Sequence, residues 1–206
     1  MMSSPTTGRS RLDPAMRREQ IVAEAAEIAL TEGLERIPLR AVAERLGVRA
    51  GLITHYFPAA EELVVTAFER AASTERDTLF RLGGTARRRL VRFLAEVSDD
   101  RSRNLARLWL NARHLARFSP ALALALEQQE AEERDLLLLL LEEGIAGGDL
   151  PPVDAAAAGI RILVAVDGAG AYANDITDFT DDTFTHVVSD IAEWALGMPA
   201  GSLRRH

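Results

Sequence analysis

The segment LRAVAERLGVRAGLITHYF, residues 39–57, constrains the fold more than any other part of this chain. Ala43 places a small side chain part-way along one short helix, and Gly47, four residues later, allows the positive φ that a tight turn requires. Apolar residues that can pack two helices together flank the turn: Val42, Leu46, Val48 and Ile53. Each feature alone also fits a generic helical hairpin, but their joint spacing predicts a helix-turn-helix with helices over 39–46 and 49–57.

The remainder of the chain also has the composition of helices. Ala, Leu, Glu and Arg dominate it, aromatic residues make up 5%, and no segment alternates convincingly as a strand would. Asp13 and Pro14 predict the start of the first helix, and Gly33 predicts its end as a left-handed cap. Further helices are predicted from Pro58 to residue 81 and over 85–97, 101–118, 120–144, 153–174 and 182–196. We therefore expect an all-α protein of about nine helices.

Charge is distributed unevenly along the chain. The net charge of the 206 residues is −7, yet residues 1–57 carry eight arginines against seven acidic residues. Four of these arginines lie within the first 18 residues: Arg9, Arg11, Arg17 and Arg18. A protein that binds nucleic acid needs a basic binding face rather than a basic average. The asymmetry indicates that the N-terminal end contacts nucleic acid, and residues 1–12 are predicted to be a flexible basic arm.

Several classes of site lack support in the sequence. There is no cysteine, no Gly-rich phosphate loop, no HExxH and no GxSxG, and no two histidines are spaced three or four residues apart. We therefore predict neither an enzyme nor a metal or cofactor site. The first ten residues lack the apolar stretch of a secretory signal, which favours a cytoplasmic protein. The apolar segment 155–173 contains Arg161 and Asp167, so a buried helix is preferred to a membrane span.

Helix 1, the turn at Gly33, the segment AVAERLGV and the segment GLITHYF followed by Pro58 resemble the DNA-binding domain of the TetR family. The stretch from Trp109 through VAVDGAGAYA is similar to the C-terminal domain of BetI-like and AcrR-like regulators. The resemblance implies a ligand-responsive homodimeric regulator, by default a repressor, that binds a palindromic operator in double-stranded DNA and is released by a small-molecule effector. It also implies a three-helix DNA-binding domain over 13–57, a ligand-binding and dimerisation domain over 58–198, and a tail over 199–206 that we expect to be flexible.

The resemblance also implies which residues meet DNA: Arg40, Arg49, Ala50, Gly51, Leu52, Thr54, His55 and Tyr56. Arg49 can reach a guanine edge or a phosphate, and Tyr56 is expected to donate its hydroxyl to a phosphate. Two alternatives remain: Tyr56 only packs against its neighbours, and His55 is exposed without contacting DNA. Pro38 stands where many members have a polar N-cap, and Ala60 stands where many have a phosphate-binding lysine. The absence of that lysine implies fewer electrostatic contacts at that edge of the domain.

The last two long helices are expected to form the dimer interface, through Ile160, Leu163, Val164, Val166, Gly170, Phe184, Val188 and Ile191. A core helix buried within a monomer is the alternative. The candidate ligand-binding residues are Phe93, Trp109, Arg113, His114, Asp167 and Tyr172. Asp167 lies in an apolar helix and needs a partner, which is either a ligand or an ion pair with Arg161 or Arg113. An effector bound by Arg113 would be anionic or carry hydrogen-bond acceptors.

Two other functions compete with the regulator: an all-α enzyme, and a protein-interaction scaffold with a non-functional helix-turn-helix. A scaffold would present an acidic or uncharged surface on the second helix of the motif. Arg40 and Arg49 argue against that surface.

Overall fold

The structure is a computed structural model that describes residues 13–80, 83–99, 102–174 and 182–204. These ranges contain one short 3₁₀ helix, Leu34–Arg36, no strand, and nine α-helices: α1 Pro14–Thr31, α2 Leu39–Leu46, α3 Ala50–Tyr56, α4 Ala60–Phe80, α5 Ala86–Val97, α6 Ser102–Leu115, α7 Pro120–Ala146, α8 Ala155–Ala173 and α9 Asp182–Ala195. The expected all-α class is confirmed. The predicted basic arm, residues 1–12, lies outside the described residues.

The apolar side chains form two cores. The first joins α1, α2, α3 and the start of α4 to α6 and α7, and its largest fully buried side chains include Ile21, Ile28, Ile53, Phe57 and Phe68. The second joins α5, the later part of α7, α8 and α9. Helices α4 and α7 contribute side chains to both cores, and α6 links the first core to α8.

The boundary predicted at Pro58 falls in the short connection between α3 and α4. The first core nevertheless continues into α4, where Leu63, Ala67 and Phe68 are fully buried. The division of the chain at Pro58 stays a prediction. The packing adds that the first two turns of α4 belong to the core of the helix-turn-helix.

The end of α1 differs from the expected left-handed cap. Gly33 has φ +107° and ψ 155°, so its φ is positive but its backbone is extended rather than left-handed helical. A Cβ atom at Gly33 would lie 2.8 Å from a carboxylate oxygen of Glu35 and 2.9 Å from Oδ1 of Asn111. The positive φ requires glycine here, whereas the neighbouring atoms are the ends of side chains that can shift.

The expectation of a flexible C-terminal tail is wrong for residues 199–204. The carboxylate of Glu193, which is 2% exposed, accepts hydrogen bonds from the backbone N–H groups of Gly201 and Leu203, both at 2.7 Å. Leu203 is 1% exposed within the second core, and Arg87 donates to the carbonyl of Ser202 at 3.0 Å. A buried carboxylate needs hydrogen-bond donors, and the folded-back tail supplies them.

Candidate functional site

The turn between α2 and α3 has the geometry that the sequence predicts. Gly47 adopts the left-handed conformation, φ +62° and ψ 35°, and its N–H bonds to the carbonyl of Glu44 at 3.1 Å. No atom lies within 4 Å of a Cβ built at Gly47, so backbone conformation alone requires glycine there. Ala43 is 2% exposed and Val42 is fully buried, which allows the two helices to cross closely.

Helix α3 divides into a buried face and an exposed face. Ile53 and Phe57 are fully buried in the first core, as expected, and the Arg18 guanidinium lies 4.6 Å from the centre of the Phe57 ring. Of the predicted DNA-binding residues on this segment, the following are exposed: Arg49, Ala50, Gly51, Thr54 and His55. Leu52 and Tyr56 are half-buried, and the Tyr56 ring meets the His55 ring edge to face at 5.3 Å. The exposed face contains no carboxylate.

The arginines near α3 have different partners. Arg45 forms ion pairs with Glu24, at 3.2 Å, and with Glu32, and so ties α2 to α1. Arg40 pairs with Glu44 at 3.5 Å, with both side chains largely exposed. The side chain of Arg49, at the N-cap of α3, makes no hydrogen bond or ion pair with any residue that the structure describes. Because exposed ion pairs contribute little to stability, the contact with Glu44 leaves the Arg40 side chain free to exchange partners.

A small, partly open cavity lies between α4, α5, α6, α7 and α8. Its volume is about 50 Å³, and three charged residues line it: Arg113, Glu133 and Asp167. The rest of its wall is mainly apolar: Leu79, Val97, Leu105, Ala106, Trp109, Leu110 and Val166. Val97, Ser102 and Gly170 also line an adjoining depression of about 290 Å³. An apolar cavity with a few polar groups is typical of a small-molecule site.

The Arg113 guanidinium is fully engaged by two carboxylates. Nη1 and Nη2 donate to the two oxygens of Asp167 at 3.0 and 2.9 Å, and Nε donates to Glu130 at 2.9 Å. Burial acts to lower the pKa of Arg113, but the charge and hydrogen bonds of Asp167 and Glu130 outweigh it and raise that pKa. Arg113 thereby joins α6, α7 and α8. The partner of Asp167 is Arg113 rather than Arg161, whose guanidinium lies over the Trp194 ring at 5.2 Å.

Sequence reasoning missed Glu133. Burial, reinforced by the negative charge of Asp167, raises the pKa of Glu133 to about 7. No hydrogen bond or ion pair holds its carboxylate within the described ranges. The signal was the spacing in α7: Gln129 and Leu137, one turn before and one turn after Glu133, are both buried.

Two family models match the chain. "Bacterial regulatory proteins, tetR family" matches residues 21–67, and "BetI-type transcriptional repressor, C-terminal" matches residues 86–195, which is more than half of the chain. The chain belongs to the TetR family of bacterial transcriptional regulators. The resemblance inferred from the sequence is therefore confirmed for both halves.

Individual relatives agree with this assignment. The HTH-type transcriptional repressor KstR of Mycolicibacterium smegmatis is 38% identical over 93 residues, which span 43% of this chain and 45% of that repressor. A TetR transcription regulator from Haloarcula marismortui, 19% identical, superposes with a TM-score of 0.71 over 88% of this chain and 95% of that one. A transcriptional regulator from Saccharomonospora viridis, solved in complex with choline, is 18% identical with a TM-score of 0.69 over 87% and 95%. At these identities the structural neighbours show the fold alone.

The structure of this TetR-family protein brings together only some of the predicted ligand residues. Trp109, Arg113 and Asp167 line the cavity. The rings of Trp109 and Phe68 meet edge to face, with their centres 5.5 Å apart. Phe93 is wrong as a pocket residue, because it is fully buried in the second core against Phe80. His114 and Tyr172 are exposed away from the cavity, beside Phe118 and Phe184 respectively.

An exposed apolar face covers one side of α8 and α9 in this regulator. Its large side chains are Ile160, Val164, Tyr172 and Trp194, each at least 55% exposed. Ala155–Tyr172 is long and apolar enough to span a membrane by length and composition alone, and 22% of it is buried within the chain. Large exposed apolar patches are typical of surfaces that contact other proteins or membranes. Trp194 was missed, although it follows Val187 by seven residues and Ile191 by three on one helical stripe.

Several residues predicted for the dimer interface lie elsewhere. Val188 is 1% exposed and belongs to the second core, so it is wrong as an interface residue. Gly170 faces α6 of the same chain, because a Cβ there would lie 2.7 Å from the Ala106 side chain. The following are half-buried, the first three at the edge of the second core: Leu163, Val166, Ile191 and Phe184. Of the predicted set, Ile160 and Val164 are the residues on the exposed face.

Proposed function

We propose that this TetR-family protein acts in the cytoplasm as a homodimeric repressor that binds a palindromic DNA operator. It leaves the operator when a small molecule occupies the cavity lined by Arg113, Glu133 and Asp167. The observation that carries the proposal is the division of α3. Ile53 and Phe57 anchor the helix in the core, while its outer face carries no acid and begins at Arg49. A short helix held in this way is suited to enter the major groove of DNA.

On the DNA, Arg49 would contact a guanine edge or a phosphate at the start of α3, and Arg40 would contact a phosphate from the start of α2. Gly51, with open space around its Cβ position, allows the α3 backbone to approach the DNA closely. The contact surface would be completed by Ala50, Leu52, Thr54, His55 and Tyr56. The Thr54 hydroxyl donates to the carbonyl of Ala50 at 3.3 Å, which leaves its oxygen free to accept.

The second copy would pack on the exposed face of α8 and α9. Burying Ile160, Val164, Tyr172 and Trp194 between two chains removes from water the largest apolar side chains on that face. A two-fold dimer places two α3 helices on half-sites separated by about 34–36 Å, one turn of DNA, or by a multiple of it. Palindromic operators follow from that symmetry.

Helix α6 supports a route from the cavity to the DNA-binding core. Arg107 on α6 donates to the carbonyls of Leu30 and Thr31, at 3.0 and 2.8 Å, at the C-terminal end of α1. Arg113 lies less than two turns further along the same helix. A ligand that separates Arg113 from Asp167 would shift α6 and α1, and through α2 it would shift α3. Ligand binding then lowers DNA affinity by its preference for that shifted state.

The experiment is a selection of genomic fragments on the purified protein, followed by a salt titration of the fragment that wins. Enrichment of one palindromic site, with binding that weakens steeply as salt increases, supports the operator and the dimer together. Absence of enrichment at low salt, from protein that mass spectrometry shows to be free of bound small molecules, refutes DNA binding. That result would favour the scaffold or the enzyme.

A further inference from the structure

The charged residues of the cavity also border the surface of the protein. Arg113, Glu133 and Asp167 line a second depression, of about 290 Å³, between α7 and α8. Ile160 and Val164, which belong to the exposed apolar face of α8 and α9, line the same depression. This α7–α8 depression therefore joins the charged wall of the cavity to the face on which a second copy is proposed to pack.

The side chain of Asp167 is itself part of that face. It follows Ile160 by seven positions and Val164 by three, so the three side chains lie on one stripe of α8. The ion pair between Asp167 and Arg113 is open to water, because the two side chains are 49% and 35% exposed respectively. A partner that covers Ile160 and Val164 would therefore also cover this ion pair and the α7–α8 depression beside it.

A second copy of the chain would bring a mainly apolar cover. In a two-fold dimer the same patch lies on both sides of the interface, so each depression would meet side chains of the face that surrounds the other. The basic residue of α8, Arg161, lies over the Trp194 ring of its own chain at 5.2 Å. It is six positions from Asp167, which places it about 120° away around the helix. The side chains left to cover the depression are the exposed apolar ones: Ile160, Val164, Tyr172 and Trp194.

The α7–α8 depression carries an excess of negative charge. Its basic residues are Arg113 and Arg134, and its acidic residues, when ionised, are Glu130, Glu133 and Asp167. Asp167 and Glu130 engage Arg113, whereas no hydrogen bond or ion pair holds Glu133 within the described ranges. In the single chain, water at the open depression stabilises this excess. An apolar cover removes that water, and a carboxylate buried without a counter-ion takes up a proton.

We propose that formation of the dimer is coupled to protonation of Glu133, so that the dimer is tighter below neutral pH than above it. This inference rests on the proposed dimer. It makes Glu133 a link between the cavity and the interface, because Glu133 lines both the cavity and the depression that a second copy would cover.

The surroundings of Glu133 set the sign of this coupling. In the single chain, burial, reinforced by the negative charge of Asp167, raises the pKa of Glu133 to about 7. Further loss of water would raise this pKa again, so the protonated carboxyl favours the dimer. That advantage is present in full below pH 7 and is lost as pH rises through the higher pKa of the dimer. The charged groups that face Glu133 are Asp167 from α8, Arg113 from α6, Arg76 from α4, and Glu130 and Arg134 from α7.

The test measures the dissociation constant of the dimer by dilution of the full-length protein, with energy transfer between fluorescent labels on the two N-termini. Because each dimer contains two copies of Glu133, we expect this constant to be at least about tenfold larger at pH 8 than at pH 6. Glu133→Gln, which has no charge at either pH, should keep the tight value at both. Glu127→Gln, at an exposed site on the same helix, should retain the pH dependence of the wild type.

Val164→Asp establishes which face forms the dimer. It places a carboxylate at the centre of the apolar face and should leave the chain monomeric at concentrations at which the wild type is dimeric. A dimer that survives this change forms elsewhere, and the coupling then has no basis. A pH dependence that persists in Glu133→Gln would assign the proton to another group, such as His114 or His186, and would also overturn the proposal. A dimer that is tighter at pH 8 would mean that the second copy brings a cation over the depression, which contradicts the apolar cover.

The wild-type protein alone decides where Glu133→Gln fails to fold. Calorimetric dilution in two buffers of different ionisation enthalpy measures the protons exchanged above pH 7, and association without proton uptake refutes the coupling. Failure of the proposed dimer gives a different result. A chain that stays monomeric at every pH, or that binds lipid vesicles through this face, refutes the dimer itself. A dimer on this face with one dissociation constant at both pH values refutes the coupling alone, and DNA binding is scored separately in the fragment selection.

Discussion

The exposed surface of α3 and the cavity lined by Arg113, Glu133 and Asp167 are built in different ways. The α3 surface comes from one continuous segment of 19 residues, and its geometry depends on a glycine turn and on two buried anchors, Ile53 and Phe57. The cavity takes its wall from five helices, and its charged residues Arg113, Glu133 and Asp167 lie 20 and 34 positions apart in the sequence. A local motif keeps its shape when distant helices move, whereas a site shared between helices changes with them. That difference suits the first to recognition and the second to sensing.

The largest effect should come from removing an anchor of α3. Phe57→Ala deletes a fully buried ring from the first core and should lower the free energy of unfolding by about 3–5 kcal/mol. Chemical denaturation measures the loss. Phe118→Ala, at a site 75% exposed, is the control and should cost less than about 0.5 kcal/mol. Equal losses would mean that α3 is not anchored as described.

The stability contributed by the cavity should depend on pH through Glu133. Because the pKa of Glu133 is raised to about 7, its buried carboxyl favours the folded state when protonated. That stability is present in full below the ordinary carboxyl pKa and is lost as pH rises through 7. Glu133→Gln should therefore raise the free energy of unfolding at pH 8 by about 3 kcal/mol, with little gain at pH 4.5. Denaturation curves at both values measure this, and a gain that is the same at both would contradict the buried charge.

Removing a DNA contact should affect binding without affecting folding. Arg49→Ala should weaken operator binding by about 1–3 kcal/mol if Arg49 reads a base. If Arg49 contacts a phosphate, the slope of log affinity against log salt concentration should instead decrease by about one, which corresponds to one counterion. Tyr56→Ala should weaken binding uniformly across DNA sequences. Fluorescence anisotropy at several salt concentrations separates these cases, and unchanged affinity in both variants would contradict α3 as the recognition helix.

The smallest effect is expected on stability, where alanine at two glycines of the same motif should act in opposite directions. Gly47→Ala forces a Cβ into the left-handed region and should cost about 1 kcal/mol of stability. Gly51→Ala, inside α3 and in open space, should instead stabilise the helix by up to about 1 kcal/mol. Thermal denaturation compares the two. The Gly51 variant should still lose DNA affinity, because its added methyl group faces the DNA.

Some features of this protein were determined by the sequence alone. The bounds of α2 and the start of α1 agree with prediction to the residue, because propensity, the proline at Pro14 and the glycine at Gly47 act within a few residues of the backbone that they control. The buried positions of Ile53 and Phe57 follow from the same local periodicity. Family resemblance, which also depends on such short segments, identified the fold class and the family.

Other features were decided only by tertiary structure. Helical periodicity places Phe93, Val188 and Glu133 on the inner faces of their helices. It does not show which neighbouring helix will cover each face. Packing placed Phe93 and Val188 in the second core, brought Arg113 to Asp167, and left Glu133 without a partner among the described residues. The C-terminal residues were expected to be free for the same reason, since only folding reveals that the Glu193 carboxylate needs their N–H groups. Contacts between distant helices depend on the whole arrangement of apolar faces, and no short segment encodes that arrangement.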